Sequence, residues 1–149
     1  MYKRQIITSV KHHAPDARLD GILIESMINN AILELMASLR RDPQFGLVLT
    51  IASGGVMTEI LQDASTVLVP TDNISLQLAI DSLRIAPLFD GFRGGQAASR
   101  TAVLDQIKGL VSLMKDAPDI KEIEINPIMV GKDYACCADA LINISSAEA

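Results

Sequence analysis

Residues 32–41 alternate strictly. Leu33, Leu35, Ala37 and Leu39 fall on one side, and Glu34, Met36, Ser38 and Arg40 on the other. A period of two is what a half-buried strand imposes, because successive side chains point to opposite faces of a sheet. The same period governs Glu122-Ile123-Glu124-Ile125-Asn126, with isoleucines on one face and oxygen-bearing side chains on the other. A chain with two such runs has to build a sheet with one apolar and one polar face. Asp42-Pro43 breaks the first run, and residues 45–52 follow as a mostly apolar strand. Residues 22–28 and 66–69 read as further strands, the first closed by the turn signal Asn29-Asn30 and the second by Pro70.

Helical periods lie between these runs. Residues 2–13 form a helix closed by Ala14-Pro15. Residues 56–64 read as a short helical stretch entered through Ser53-Gly54-Gly55. Thr71-Asp72-Asn73 caps a helix that buries Leu76, Ala79, Ile80 and Leu83. Gly91-Phe92-Arg93-Gly94-Gly95 is a loop, and from Ser99 a longer helix carries Val103, Ile107, Leu110, Val111 and Met114 as its buried stripe until Pro118. The order of elements predicts an α+β fold, a mostly antiparallel sheet with helices packed on one face. With 49% apolar and 21% charged residues, the chain has the material for one buried core.

Composition excludes several classes. A net charge of −5 argues against a general nucleic-acid binder, and 3% aromatics leaves few stacking platforms for single strands. No apolar run approaches the ~20 residues that span a bilayer, and the opening residues lead into no signal-type segment. The expected location is cytoplasmic, with neither membrane nor nucleic acid as partner. The two cysteines, Cys136 and Cys137, are adjacent and read as small apolar residues of a strand, since neighbours on a strand point apart.

The C-terminal hairpin offers a metal site. If Lys132-Asp133 is a two-residue turn, Asn126 stands opposite Asp139, and Glu124, Asn126 and Asp139 present oxygens on one sheet face. Mg²⁺ suits such a set, with waters and nucleotide phosphates filling the rest of an octahedron. A three-residue turn would make Asn126 and Asp139 diagonal, and polar alternation alone is also what any half-exposed strand shows.

Five motifs in order add a family resemblance. Gly21-Ile22-Leu23-Ile24-Glu25-Ser26-Met27 is similar to a nucleotide-binding hinge strand. Glu34 followed by Arg41-Asp42-Pro43-Gln44-Phe45-Gly46, then Gly54-Gly55-Val56-Met57-Thr58-Glu59 with Asp63, then Ala86-Pro87-Leu88 to Gly91-Phe92-Arg93-Gly94, and finally Glu124-Ile125-Asn126-Pro127 with Asp139, complete the pattern. Together they resemble the C-terminal part of the ATP-grasp domain of ADP-forming acyl-CoA synthetases, relatives of the succinyl-CoA synthetase β subunit. The likeness runs from about residue 15 to 142. Residues 1–14 are then a leading helix whose first five residues look foreign to the family, and 143–149 are a tail.

The resemblance implies an acid–thiol ligase that interconverts acyl-CoA, ADP and phosphate with carboxylate, CoA and ATP through a phosphohistidine carried on another domain or subunit. ATP or ADP and Mg²⁺ are the implied cofactors. The backbone of Glu25, Ser26 and Met27 would meet adenine, Glu34 the ribose hydroxyls, and Glu124, Asn126 and Asp139 the ion. Backbone N–H groups of Ser53-Gly54-Gly55 are candidates for phosphate, as are Arg93 and Arg41. The family's phosphate-binding Lys, His-Lys segment and glycine-rich loop have no counterpart here. The chain is therefore expected to supply half of a nucleotide cleft, inactive without an N-terminal ATP-grasp subdomain and a CoA-binding phosphohistidine partner. His12 and His13 read as a solvated helix end. A different class stays open: a non-catalytic nucleotide-binding or subunit-interaction module, whose apolar face with Leu23, Met27 and Met36 docks a partner or a second copy.

Overall fold

The structure, a computed structural model, describes residues 2–145. Strands β1 (Leu33–Asp42), β2 (Gly46–Ser53), β3 (Ala64–Val69), β4 (Ile120–Val130), β5 (Ala135–Cys137) and β6 (Ala140–Ile144) form one six-stranded sheet. Every pairing is antiparallel: β3 borders β2, β2 borders β1, β1 borders β4, and β5 and β6 share the far side of β4. Helices α3 (Asn73–Asp81) and α4 (Arg100–Asp116) deliver Leu76, Ile80, Val103, Ile107 and Met114 to the core, where they meet Leu35, Leu39, Leu49, Ile51 and Ile123 from the sheet. Each such fully buried aliphatic side chain contributes about 1.5–3 kcal/mol from water exclusion alone. The alternation of β1 is reproduced residue by residue, with Leu33, Leu35, Ala37 and Leu39 buried.

The register of the last hairpin is the one a two-residue turn dictates. Gly131 N–H donates to Tyr134 O at 2.9 Å, Val130 pairs with Ala135, and Asn126 N–H donates to Asp139 O at 3.2 Å. Across the other edge of β4 the ladder slips. Leu35 faces Ile128 but Ala37 faces Ile125, so Asn126 and Pro127 oppose Met36 alone. This bulge sits where Pro127 has no N–H to give, and it lets Ile123, Ile125, Ile128 and Val130 all reach the core.

Both main helices begin on side-chain caps. Asp72 accepts from Ser75 N–H at 2.7 Å, and Ser99 accepts from Ala102 N–H at 3.2 Å. The Ser75 amide holds the Asp72 carboxyl below the usual aspartate range, and the Arg100 guanidinium does the same to Asp90. A carboxyl lowered in the folded state binds fewer protons there than in the unfolded chain. Its stabilisation is therefore present above the ordinary aspartate range and lost as pH falls through the folded value. Asp72→Asn, which keeps a capping oxygen but cannot titrate, is expected to make the loss of stability on acidification shallower. Urea unfolding of both proteins near neutral pH and near about pH 3 checks this.

Three readings need correction. Residues 22–28 are not a strand: Leu23, Ile24 and Met27 are 82%, 83% and 81% exposed, and the segment lies outside the sheet. β-rich composition supplies no partner, and β1 already has β2 and β4 on its two edges. The stretch 56–64 divides into a 3₁₀ turn, Gly55–Met57, and a single α turn, α2 (Thr58–Leu61), with Ala64 already in β3. Residues 143 and 144 belong to β6, while 146–149 of the expected tail and Met1 of the leading segment lie outside the described residues. The leading helix is present as α1 (Tyr2–His13).

Candidate functional site

Glu34 lies on β1 between the buried positions Leu33 and Leu35, on the sheet face away from α3 and α4. The chain leaving β2 is laid directly against it. Gly54 N–H donates to Glu34 O at 2.9 Å, and Gly55 N–H donates to the Asn126 side-chain oxygen Oδ1 at 2.8 Å. Only glycines allow this. A Cβ on Gly54 would stand 2.3 Å from the Leu35 carbonyl carbon, and one on Gly55, at φ +60°, would stand 1.6 Å from Glu34 Oε2. Thr58 Oγ1 then closes the turn by donating to Ser53 O at 3.0 Å and Gly55 O at 2.9 Å. The glycine pair is thus a seam between Glu34 on β1 and Asn126 on β4.

Asn126 brings the remaining oxygen donors with it. Asp139 stands across from it in the link between β5 and β6, exposed, with Oδ1 accepting its nearest amide, Ala140 N–H, at 2.8 Å. Glu124 lies one pleat away on the same face, paired with Ser38 of β1 and Leu141 of β6. Among the described residues no three His, Cys, Asp or Glu side chains gather closely enough to hold a metal on their own. The set is two carboxylates and one amide oxygen, all hard donors. That matches Mg²⁺, which binds through one or two carboxylates and takes its other ligands from phosphates and water. The residues fit the ion.

A cavity of about 310 Å³ opens beside Glu34, walled by Ala31, Ile32, Val56, Ile85 and Leu88, with Ser53 and Gly54 at its edge. An apolar cleft with one acid aimed into it has the make-up of a small-ligand site. Ile85 and Leu88 were not legible as site residues, because their apolar character carries no chemical signal until the fold brings them to the cavity beside Glu34.

Other expected residues stand apart. Glu25, Ser26 and Met27 are exposed in the irregular segment. Arg93 adopts a left-handed backbone, φ 53°, with its guanidinium 5.3 Å from the Phe92 ring centre, and does not line the cavity. Two phosphate candidates are corrected. Arg41 donates to Ile120 O at 2.9 Å and to Ala117 O at 3.2 Å, and also to Met114 O, so it caps the C-terminal end of α4. The N–H groups of Ser53, Gly54 and Gly55 are all donated internally, to Asp63 O, Glu34 O and Asn126 Oδ1, and none is left for phosphate. His12 and His13 are exposed at the end of α1, as read.

The fold is shared with known proteins. Residues 2–144 match the family profile described as the ATP-grasp domain. The chain belongs to that family. This ATP-grasp chain is 34% identical over 137 residues to the beta subunit of ADP-forming acetate–CoA ligase I of Pyrococcus furiosus, a span of 92% of the chain and 59% of that subunit. It is also similar to the dinucleotide-forming acetyl-coenzyme A synthetase 1 of Ca. Korarchaeum cryptofilum. The structure of that protein with coenzyme A and Ca-AMPCP superposes with a TM-score of 0.82 at 29% identity, covering 96% of this chain and 62% of that one. A second structure of it, with coenzyme A and Mg-AMPPCP and a phosphohistidine segment pointing towards the nucleotide binding site, gives a TM-score of 0.71 at 27% identity and covers 76% of this chain and 53% of that one. The ATP-grasp chain therefore spans less than two thirds of these relatives. No helix among its described residues is long and apolar enough to cross a membrane.

Proposed function

We propose that this ATP-grasp chain binds ADP or ATP with Mg²⁺ and forms one wall of the nucleotide cleft of an ADP-forming acyl-CoA synthetase, acyl-CoA + ADP + phosphate = carboxylate + CoA + ATP. The observation that carries the reading is the glycine seam, which fastens Glu34 to Asn126 and so joins an acid beside an apolar cavity to an oxygen-donor face. The two side-chain oxygens of Glu34 take both ribose hydroxyls. The backbone of the irregular segment at Glu25, Ser26 and Met27 is assigned to adenine, and Arg93, which lies outside the cavity, to the phosphates. Glu124, Asn126 and Asp139 hold Mg²⁺, which when bound offsets phosphate charge. Gly54 and Gly55 act by fixing their two neighbours.

Positioning both ends of a phosphoryl group needs groups from two sides of a cleft. On this reading a facing ATP-grasp N-terminal subdomain and a CoA-binding, phosphohistidine-bearing domain or subunit complete the reaction. The nucleotide and phosphohistidine segment held by the Korarchaeum relative support that division of labour. Calorimetric titration with ADP tests the binding claim. Binding is expected to require Mg²⁺, and Asp139→Ala is expected to weaken it by roughly 10–100-fold, the usual effect of losing a ligand or its immediate support. Mg²⁺-dependent binding that Asp139→Ala leaves unchanged would remove Asp139 from the site.

A further inference from the structure

Asp63 is used by none of the roles above, yet it touches both sides of the cavity. Ser53 is the buried polar residue among the described residues, 1% exposed, and its hydroxyl donates to Asp63 Oδ2 at 3.1 Å. The same oxygen accepts Arg84 N–H at 2.6 Å, and the Asp63 backbone carbonyl accepts Ser53 N–H at 3.0 Å. Ser53 leads into the glycine seam that fastens Glu34. Arg84 immediately precedes Ile85 and Leu88, which make the opposite wall. One carboxylate oxygen therefore ties the two walls together. The residue just before it, Gln62, sits at φ +45°, a left-handed conformation that a side chain occupies only when its surroundings hold it there. That turn brings the chain back from α2 so that Asp63 reaches both partners.

We propose that Asp63 is a positioning residue for the nucleotide: its carboxylate sets the spacing between the seam at Ser53-Gly54-Gly55 and the wall at Ile85 and Leu88, and so the place of Glu34 in the cleft. The proposal rests on the nucleotide reading given above. It acts through geometry, since Asp63 does not line the cavity itself. Asparagine keeps an oxygen that can accept both bonds but loses the negative charge that strengthens them, so Asp63→Asn weakens the tie at both partners. Charge-assisted hydrogen bonds of this kind are each worth about a factor of ten or more in an equilibrium constant.

The test pairs amide hydrogen exchange on the free chain with calorimetric titration of Mg·ADP, for the wild type, Asp63→Asn and Ser53→Ala. Asp63→Asn is expected to speed exchange at Ser53 and Arg84 by about tenfold while the core amides of β1 and β4 keep their protection, and to weaken Mg·ADP by about tenfold. Ser53→Ala removes one arm, is expected to weaken Mg·ADP by a smaller factor, and serves as the second variant should Asp63→Asn fold poorly. Faster exchange at both amides with unchanged Mg·ADP affinity would overturn the positioning role and leave the nucleotide reading intact. Unchanged exchange at Arg84 would overturn the tie itself, and loss of protection throughout the sheet would make Asp63 a general structural residue. A wild-type chain that binds no Mg·ADP would overturn the nucleotide reading, and the positioning role with it.

Discussion

Gly54→Ala is expected to lower stability by about 3 kcal/mol and the melting temperature by roughly 6–12 °C. The added methyl would meet the Leu35 carbonyl carbon at 2.3 Å and its oxygen at 2.4 Å. These are backbone atoms of β1, held on one side by β2 and on the other by β4, so neither strand can yield without breaking ladder bonds. The backbone conformation of Gly54, φ −98° and ψ −177°, is one any residue adopts, so the effect is one of space alone. Gly55→Ala differs in kind. Its methyl meets the end of the Glu34 side chain, which can swing away, and its cost is the left-handed φ together with a displaced acid. Differential scanning calorimetry of the two variants separates them: a Gly54→Ala protein that melts within about 1 °C of the wild type would mean the seam is looser than described.

Asn126→Ala is expected to cost about a hundredfold in Mg·ADP affinity, the largest binding effect of any single side chain in the site. It removes a donor oxygen from the proposed ion and leaves Gly55 N–H, now fixed at 2.8 Å from that oxygen, without its partner. Asn126→Asp is the informative contrast. It keeps an acceptor for Gly55 N–H and adds a negative charge on the oxygen face, so Mg·ADP affinity is expected to stay within about tenfold of the wild type. If Asn126→Ala binds as well as Asn126→Asp, the amide oxygen serves the fold alone.

The sheet and its register were legible because they follow from local rules. Period-two burial placed Leu33, Leu35, Ala37 and Leu39 inside, and the two residues Lys132-Asp133 fixed the turn, which in turn set Asn126 against Asp139. What the sequence withholds is partnership. Residues 22–28 have the composition of a strand, but composition does not supply a neighbouring edge, and the segment lies open. Arg41 looked available for phosphate because the carbonyls it caps, Met114, Ala117 and Ile120, are distant in sequence. The glycine pair was recognisable as special, yet its reason is the close approach of Leu35 and Glu34, which only the folded chain reveals. Asp63 stood out as part of a motif, but its role did not, for the same cause: its partners Ser53 and Arg84 lie 10 and 21 residues away.

The place of the ion and the nucleotide defines the cleft. Mn²⁺ in place of Mg²⁺, added with ADP to isotopically labelled chain, broadens amide resonances near the metal, and an oxygen-donor site that takes Mg²⁺ also takes Mn²⁺. Selective broadening of Glu124, Gly55, Asn126, Asp139 and Ala140, dependent on ADP, is the predicted result. Broadening that spares these residues and centres elsewhere on the chain would contradict the account.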